Sequence, residues 1–222
     1  MDWTAIWLSV RLAAATTAAL LVLGAPLAAW LAFSRGRLKF VVEAVVALPI
    51  VLPPTVIGFY LLFAFGPHSP LGAVYQRVFG TTLPFSFAGL LVASVLYSLP
   101  FAVQPLAASF AAVDKRLMEA SWCLGVSRVG TFFRVVLPLG RAGVLAAAVL
   151  TFAHTLGEFG VVLMIGGNIP GRTRTASISI YDAVQSLDYG RAHATSLFLL
   201  ACSFAALLVV YSTRRRTWAT GW

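Results

Sequence analysis

The sequence is poor in charge, and poorest in acid. Only 10% of its 222 residues are charged, and Asp and Glu together number 7. A water-soluble domain carries roughly 25% charged residues, so a chain this depleted has too little polar surface to cover its exterior in water. A bilayer removes that demand, because helices facing lipid are apolar all round. With 60% hydrophobic residues and a mean hydropathy of +0.91, the chain is expected to be an all-α integral membrane protein with lipid as its surroundings. Cysteine is also scarce. Cys123 stands in a charged stretch and Cys202 in an apolar one; neither has a second ligand at helical spacing, so no disulfide or metal site is expected. No cofactor is indicated. A G-x-x-x-x-G-K-[S/T] phosphate loop is missing, and the glycine-rich run Gly166-Gly167-Asn168-Ile169-Pro170-Gly171 lacks the lysine and reads as a turn. Neither G-x-S-x-G nor H-E-x-x-H occurs, so no catalytic residue is assigned and an intramembrane hydrolase is disfavoured. Met1–Val10 carries no basic segment, and no small-residue cleavage site follows the first apolar run, so a cleaved signal peptide is not expected.

What is present is a series of long apolar runs. A helix needs about 20 apolar residues to cross the hydrocarbon core, and about five stretches qualify: Leu12–Phe33, Val41–Phe65, Phe87–Val113, Leu139–Ile165 and Ala194–Thr213. The whole of 1–222 reads as one transmembrane domain with a core over about 6–212. The net charge of +9 is explained by basic loops of an inner-membrane protein, not by a nucleic-acid partner. Five spans put the termini on opposite sides, and the 16 Lys and Arg then divide eleven to five. The richer side holds Arg35, Arg37 and Lys39, then Lys115, Arg116, Arg128, Arg134 and Arg141, then Arg214–Arg216. That places it in the cytoplasm, with the N-terminus outside and the C-terminus in the cytoplasm. Trp3, Trp7, Trp30, Trp218 and Trp222 fall near span ends, as interfacial anchors do.

Two spans carry unusual chemistry. The second contains Pro49, Pro53 and Pro54, followed by Thr55. Each proline removes a backbone donor and crowds the preceding turn, so this stretch is either simply kinked or a bent helix lining a pathway. In lipid its freed carbonyls must face protein or a water-filled cavity. The fourth span contains His154 and, four residues on, Glu158, expected on one helical face. An ionised Glu in mid-membrane costs several kcal/mol unless paired or hydrated. Glu158 therefore reads as a dimer-contact or pathway-closing residue, or as a hydrogen-bonded packing residue, with Gly157 and Gly160 permitting close approach. Pro53, Pro54, Thr55, Gly157, Glu158 and Phe159 are the pathway and gate candidates.

The connector from about 114 to 138 is too long and too patterned for a simple loop. Asp114 suits an N-cap, Leu117, Ala120 and Leu124 recur at helical steps, and Gly125 suits a helix end. Ser127 then begins a second short helix, expected to end at Phe133 or Arg134. The result is a helix-turn-helix beneath the membrane with an apolar face for docking. Here a resemblance enters. Glu119-Ala120-Ser121, Gly125, Val135, Leu137 and Pro138 are similar to the cytoplasmic loop of binding-protein-dependent ABC importer permeases. That family's pattern is Glu-Ala-Ala, three residues, Gly, nine residues, Ile, one residue, Leu-Pro. Only Ser121 and Val135 depart from it.

The resemblance implies a type I ABC importer permease fold with a cytoplasmic coupling helix-turn-helix. It also implies a homodimer, two cytoplasmic ABC ATPase subunits that grip the loop, and a periplasmic binding protein that delivers cargo. Leu48–Gly58, Leu156–Gly160 and Asn168–Thr175 further resemble the molybdate-type permeases of that family, which implies a periplasmic molybdate-binding protein as the delivering receptor. Importers of the same fold for sulfate, tungstate or another oxyanion remain alternatives, and an ATP-independent secondary transporter a distant one. The latter would show inverted repeats or several intramembrane charges.

Overall fold

The computed structural model describes residues 1–219, with side chains for all of them except Val209 and residues 213–219. Among these residues the fold is all-α. In chain order its helices are α1 (Trp3–Phe33), α2 (Lys39–Val51), α3 (Pro54–Phe65), α4 (Pro70–Phe79), α5 (Phe87–Ala111) and α6 (Lys115–Cys123). There follow α7 (Arg128–Thr131), a π-helical segment Phe132–Val136, and α8 (Leu137–Leu139). The last four are α9 (Arg141–Gly157), α10 (Gly160–Gly166), α11 (Ala176–Gln185) and α12 (Tyr189–Ala219).

Three helices are long and apolar enough to cross a membrane unaided: α1, α5 and the Tyr189–Ser212 part of α12. Two bent pairs raise the count to five. α2 and α3 meet at 111°, and the helical stretch Arg128–Leu139 meets α9 at 74°. Counting each bent pair as one span gives up to five, the expected number, with the second pair drawing on Arg128–Leu139 of the connector and not on the expected Leu139–Ile165 alone. The fourth, however, is not one helix through Ile165. It breaks at Glu158, whose backbone is extended (φ −67°, ψ 140°), before α10 resumes. Gly157 and Gly160 flank the break, and glycine is the weakest helix former after proline.

α1, α5 and α9 pack on one another as the central bundle, with α10 against α3 and α5, and α12 along α9 and α11. The bundle holds two apolar cores. One gathers Leu31, Val103, Leu106, Phe110, Met118 and Val136. The other gathers Leu8, Leu12, Leu90, Ala93, Val161 and Ile165. Along α1, α5 and α9 the stretch between them carries buried polar residues instead: Thr16, Ser94, Ser98, Thr151, Thr155 and Glu158. Trp3, Trp7 and Trp30 are exposed, as anchors must be. Trp222 lies outside the described residues, and so does the side chain of Trp218.

Candidate functional site

The connector of residues 114–138 builds itself from local signals. Asp114 accepts the Arg116 amide at 2.9 Å and starts α6. Gly125 ends it with φ +79°, donating its amide to the Trp122 carbonyl at 2.9 Å. A Cβ at this position would meet nothing within 4 Å, so the backbone, not space, requires glycine. Ser127 caps α7 by accepting the Gly130 amide at 3.1 Å. The second helix does not stop at Phe133 or Arg134, as its sequence suggested. It runs on through the π-helical segment and α8 to Leu139. Pro138 lacks an amide and its ring crowds the carbonyl four residues back. The chain widens one turn ahead of it, where the Leu137 amide donates to the Phe132 carbonyl five residues back.

Ser121 has a partner that explains its departure from the family's alanine. Its Oγ lies 2.9 Å from Thr131 Oγ1, both groups buried, and the bond fastens α6 to α7. Glu119, Ala120, Gly125 and Pro138 are exposed, while Val135 and Leu137 are half-buried. The element is two-faced. Met118 and Val136 are buried in the same cluster as Leu31 of α1 and Phe110 of α5. Leu117, Leu124, Val129 and Phe133 point outward, Leu124 at 83% exposure.

The second constellation lies at the two helix breaks, which meet. Pro53 is extended (φ −55°, ψ 135°) and Pro54 takes the first position of α3. A Cβ on Gly160 would come within 2.6 Å of Pro54 Cβ, and one on Gly58 within 2.6 Å of Met164 Cβ. These two glycines let α3 and α10 approach to backbone distance. Gly157 does not share that role within this chain, since nothing lies within 4 Å of where its Cβ would be. Pro53 and Thr55 are exposed, and Phe159 is half-buried against Tyr181 with ring centroids 5.2 Å apart.

Glu158 is buried, with 6% of its surface exposed. Ser94 Oγ donates to its Oε2 at 3.4 Å, while Oε1 has no partner of hydrogen-bonding geometry. One turn along α5, Ser98 Oγ meets His154 Nδ1 at 3.0 Å and Thr155 Oγ1 at 2.9 Å. His154 also stacks on Phe101 at 3.8 Å. Because the helix ends at Gly157, His154 and Glu158 do not share one helical face; α5 brings them together through Ser94 and Ser98. Those two serines were missed in the sequence, although a four-residue spacing on an apolar helix marks one face. No group of three or more His, Cys, Asp or Glu suited to a metal ion occurs among the described residues.

At the other end of the bundle the turn Asn168–Thr175 is held tight. Arg174 donates to Asn168 Oδ1 at 2.6 Å and pairs with Asp182 at 3.3 Å, and Asn168 Nδ2 donates to Asp182 at 2.7 Å. Asp2 accepts the Ala5 amide and pairs with Arg191 at 3.1 Å.

Residues 24–218 match the family profile described as binding-protein-dependent transport system inner membrane component. The chain is 54% identical over 214 residues to the molybdenum transport system permease protein ModB of Azotobacter vinelandii, covering 96% of this chain and 95% of that protein. It is 41% identical to ModB of Mycobacterium tuberculosis, covering 96% of this chain and 79% of that one. Among solved structures, a bacterial alginate ABC transporter in complex with a pentasaccharide-bound periplasmic protein superposes with a TM-score of 0.75. The identity there is 16%, over 99% of this chain and 80% of that one, so the likeness is one of fold.

Proposed function

The chain belongs to the binding-protein-dependent transport system inner membrane component family, and from that premise we propose that it is the permease subunit of an ABC importer for molybdate. It is a transport subunit of a multi-pass inner-membrane system whose other members are an ATPase and a binding protein. In this reading residues 1–222 form one permease domain, two copies form the pathway, and two cytoplasmic ATPase subunits grip the Glu119–Gly125 helix. A periplasmic receptor supplies the ion. Cargo identity rests on the 54% identity to the Azotobacter ModB.

The observation that carries the coupling role is the two-faced connector. Its outer face offers exposed Leu117, Leu124, Val129 and Phe133 to a partner, and its inner face roots Met118 and Val136 among the ends of α1 and α5. An apolar helix face seated in a partner's groove transmits displacement as a rigid body. Closure of the ATPase pair then drags the bundle ends, and the broken spans α2–α3 and α9–α10 rock about their meeting point. Pro53, Thr55 and Gly157, exposed in the single chain, line the path between two copies. Glu158, held by Ser94, and Phe159, packed on Tyr181, form its closing layer. Molybdate is a small dianion, and a pathway that releases it carries few fixed positive charges; the interiors of the second and fourth spans have no Lys or Arg. Eleven of 16 basic residues on the connector side support a cytoplasmic connector and a periplasmic N-terminus.

The test is reconstitution of this chain with its ATPase and receptor in vesicles. Molybdate uptake should require ATP and all three components, and tungstate or sulfate should compete according to their fit. Uptake by this chain alone without ATP would overturn the importer reading. Sulfate uptake with indifference to molybdate would overturn the cargo alone.

A further inference from the structure

A groove of ≈1010 Å³ opens between the end of α1, the start of α2 and the connector, whose outward Trp122, Val129 and Phe133 line it beside the buried Met118 and Val136. Its two walls differ in chemistry. Ala29, Ala32 and Phe33 lie in the last turns of α1, and Met118, Phe132 and Val136 face them from the connector, making an apolar floor. The rim carries Arg35, Lys39, Lys115 and Arg128 against one acid, Glu119. Lys39 pairs with Glu43 at 3.7 Å. Among the described residues Arg35, Lys115 and Arg128 form no ion pair, and Arg128 lies over the Trp122 ring at 5.9 Å. A span's final turns sit where hydrocarbon gives way to headgroups, so the groove starts apolar and ends cationic at that depth.

We propose that this groove seats an acidic phospholipid, its phosphate among Arg35, Lys115 and Arg128 and the root of its acyl chains against Ala29, Phe33 and Phe132. Other occupants fit the charge poorly. The chain's own C-terminal Arg214–Arg216 has the rim's sign. A second copy has 7 acids, of which Asp2, Glu43 and Asp182 are ion-paired, Glu158 is buried, Asp114 and Glu119 lie on its own basic connector, and Asp188 alone is left over. An anionic headgroup supplies the missing charge, and its tails supply apolar contact that a free anion cannot. The inference goes beyond the importer reading and does not depend on cargo.

The test is native mass spectrometry of the permease–ATPase complex, stripped of lipid and titrated with phosphatidylglycerol or phosphatidylcholine of matched chains. Phosphatidylglycerol should be retained about tenfold better. The preference should vanish in Arg35→Gln/Lys115→Gln/Arg128→Gln and weaken in Arg35→Gln, which lies outside the connector and spares its fold. It should persist when Arg214, Arg215 and Arg216 are all changed to Gln. Four results would each overturn the proposal: no preference in the wild type, equal loss in the tail variant, displacement by inorganic phosphate at the lipid's concentration, or lipid binding only after the ATPase is removed. The last would make the groove the ATPase's seat.

Discussion

Glu158 ends α9 with one carboxyl oxygen held by Ser94 and the other without a partner, inside a stretch that must remain apolar to lipid. Hydrogen bonds between membrane helices are worth about 0.6 kcal/mol on average and at most about 1.7 kcal/mol. Glu158→Gln keeps an acceptor oxygen for Ser94 and should leave ATP-driven uptake within about twofold of wild type. Glu158→Ala removes it, and a loss at that upper bound corresponds to uptake slower by up to about twentyfold with the complex still assembled. Unchanged uptake in the alanine variant would reduce Glu158 to a packing residue. The presence of a carboxylate in the fourth span was plain in the sequence. Its partners were not, because Ser94 and Ser98 lie some sixty residues away and only the packing of α5 on α9 brings them near.

The connector is the element whose sequence said most. Asp114, Gly125 and Ser127 are capping residues, and capping acts within a turn, so helix starts and stops were readable there. The π-helical widening before Pro138 was not, since it answers a clash between a ring and a carbonyl that only a continuing helix creates. The same contrast holds in the spans. Pro53-Pro54 announced a break, whereas the break at Glu158 has only glycines beside it, and the 111° size of the first bend was not readable from its prolines. Gly125 gives the element its sharpest test. At φ +79° any L side chain is strained, by roughly 1–2 kcal/mol. In Gly125→Val the α6–α7 turn should shift, leaving ATPase activity high and lowering molybdate uptake at least about fivefold. Uptake at the wild-type rate per ATP hydrolysed would refute the coupling role.

At the scale of the whole molecule, charge separates the two ends of the bundle. At the end away from the connector Arg174 and Arg191 are paired with Asp182 and Asp2, while Arg11, Arg77 and Arg172 form no ion pair among the described residues. At the connector end the described ion pairs include only Lys39–Glu43, and Arg35, Lys115 and Arg128 stand without one. The 16 Lys and Arg divide eleven to five in favour of the connector side, and this count, readable from composition alone, predicts a cytoplasmic connector. Cys123 makes the orientation measurable, because it is exposed at the end of α6. With Cys202 changed to Ser, a membrane-impermeant maleimide should leave intact cells unlabelled and should label Cys123 in inverted vesicles stripped of the ATPase. Labelling of Cys123 from outside intact cells would put the connector in the periplasm and contradict its role as the ATPase's handle.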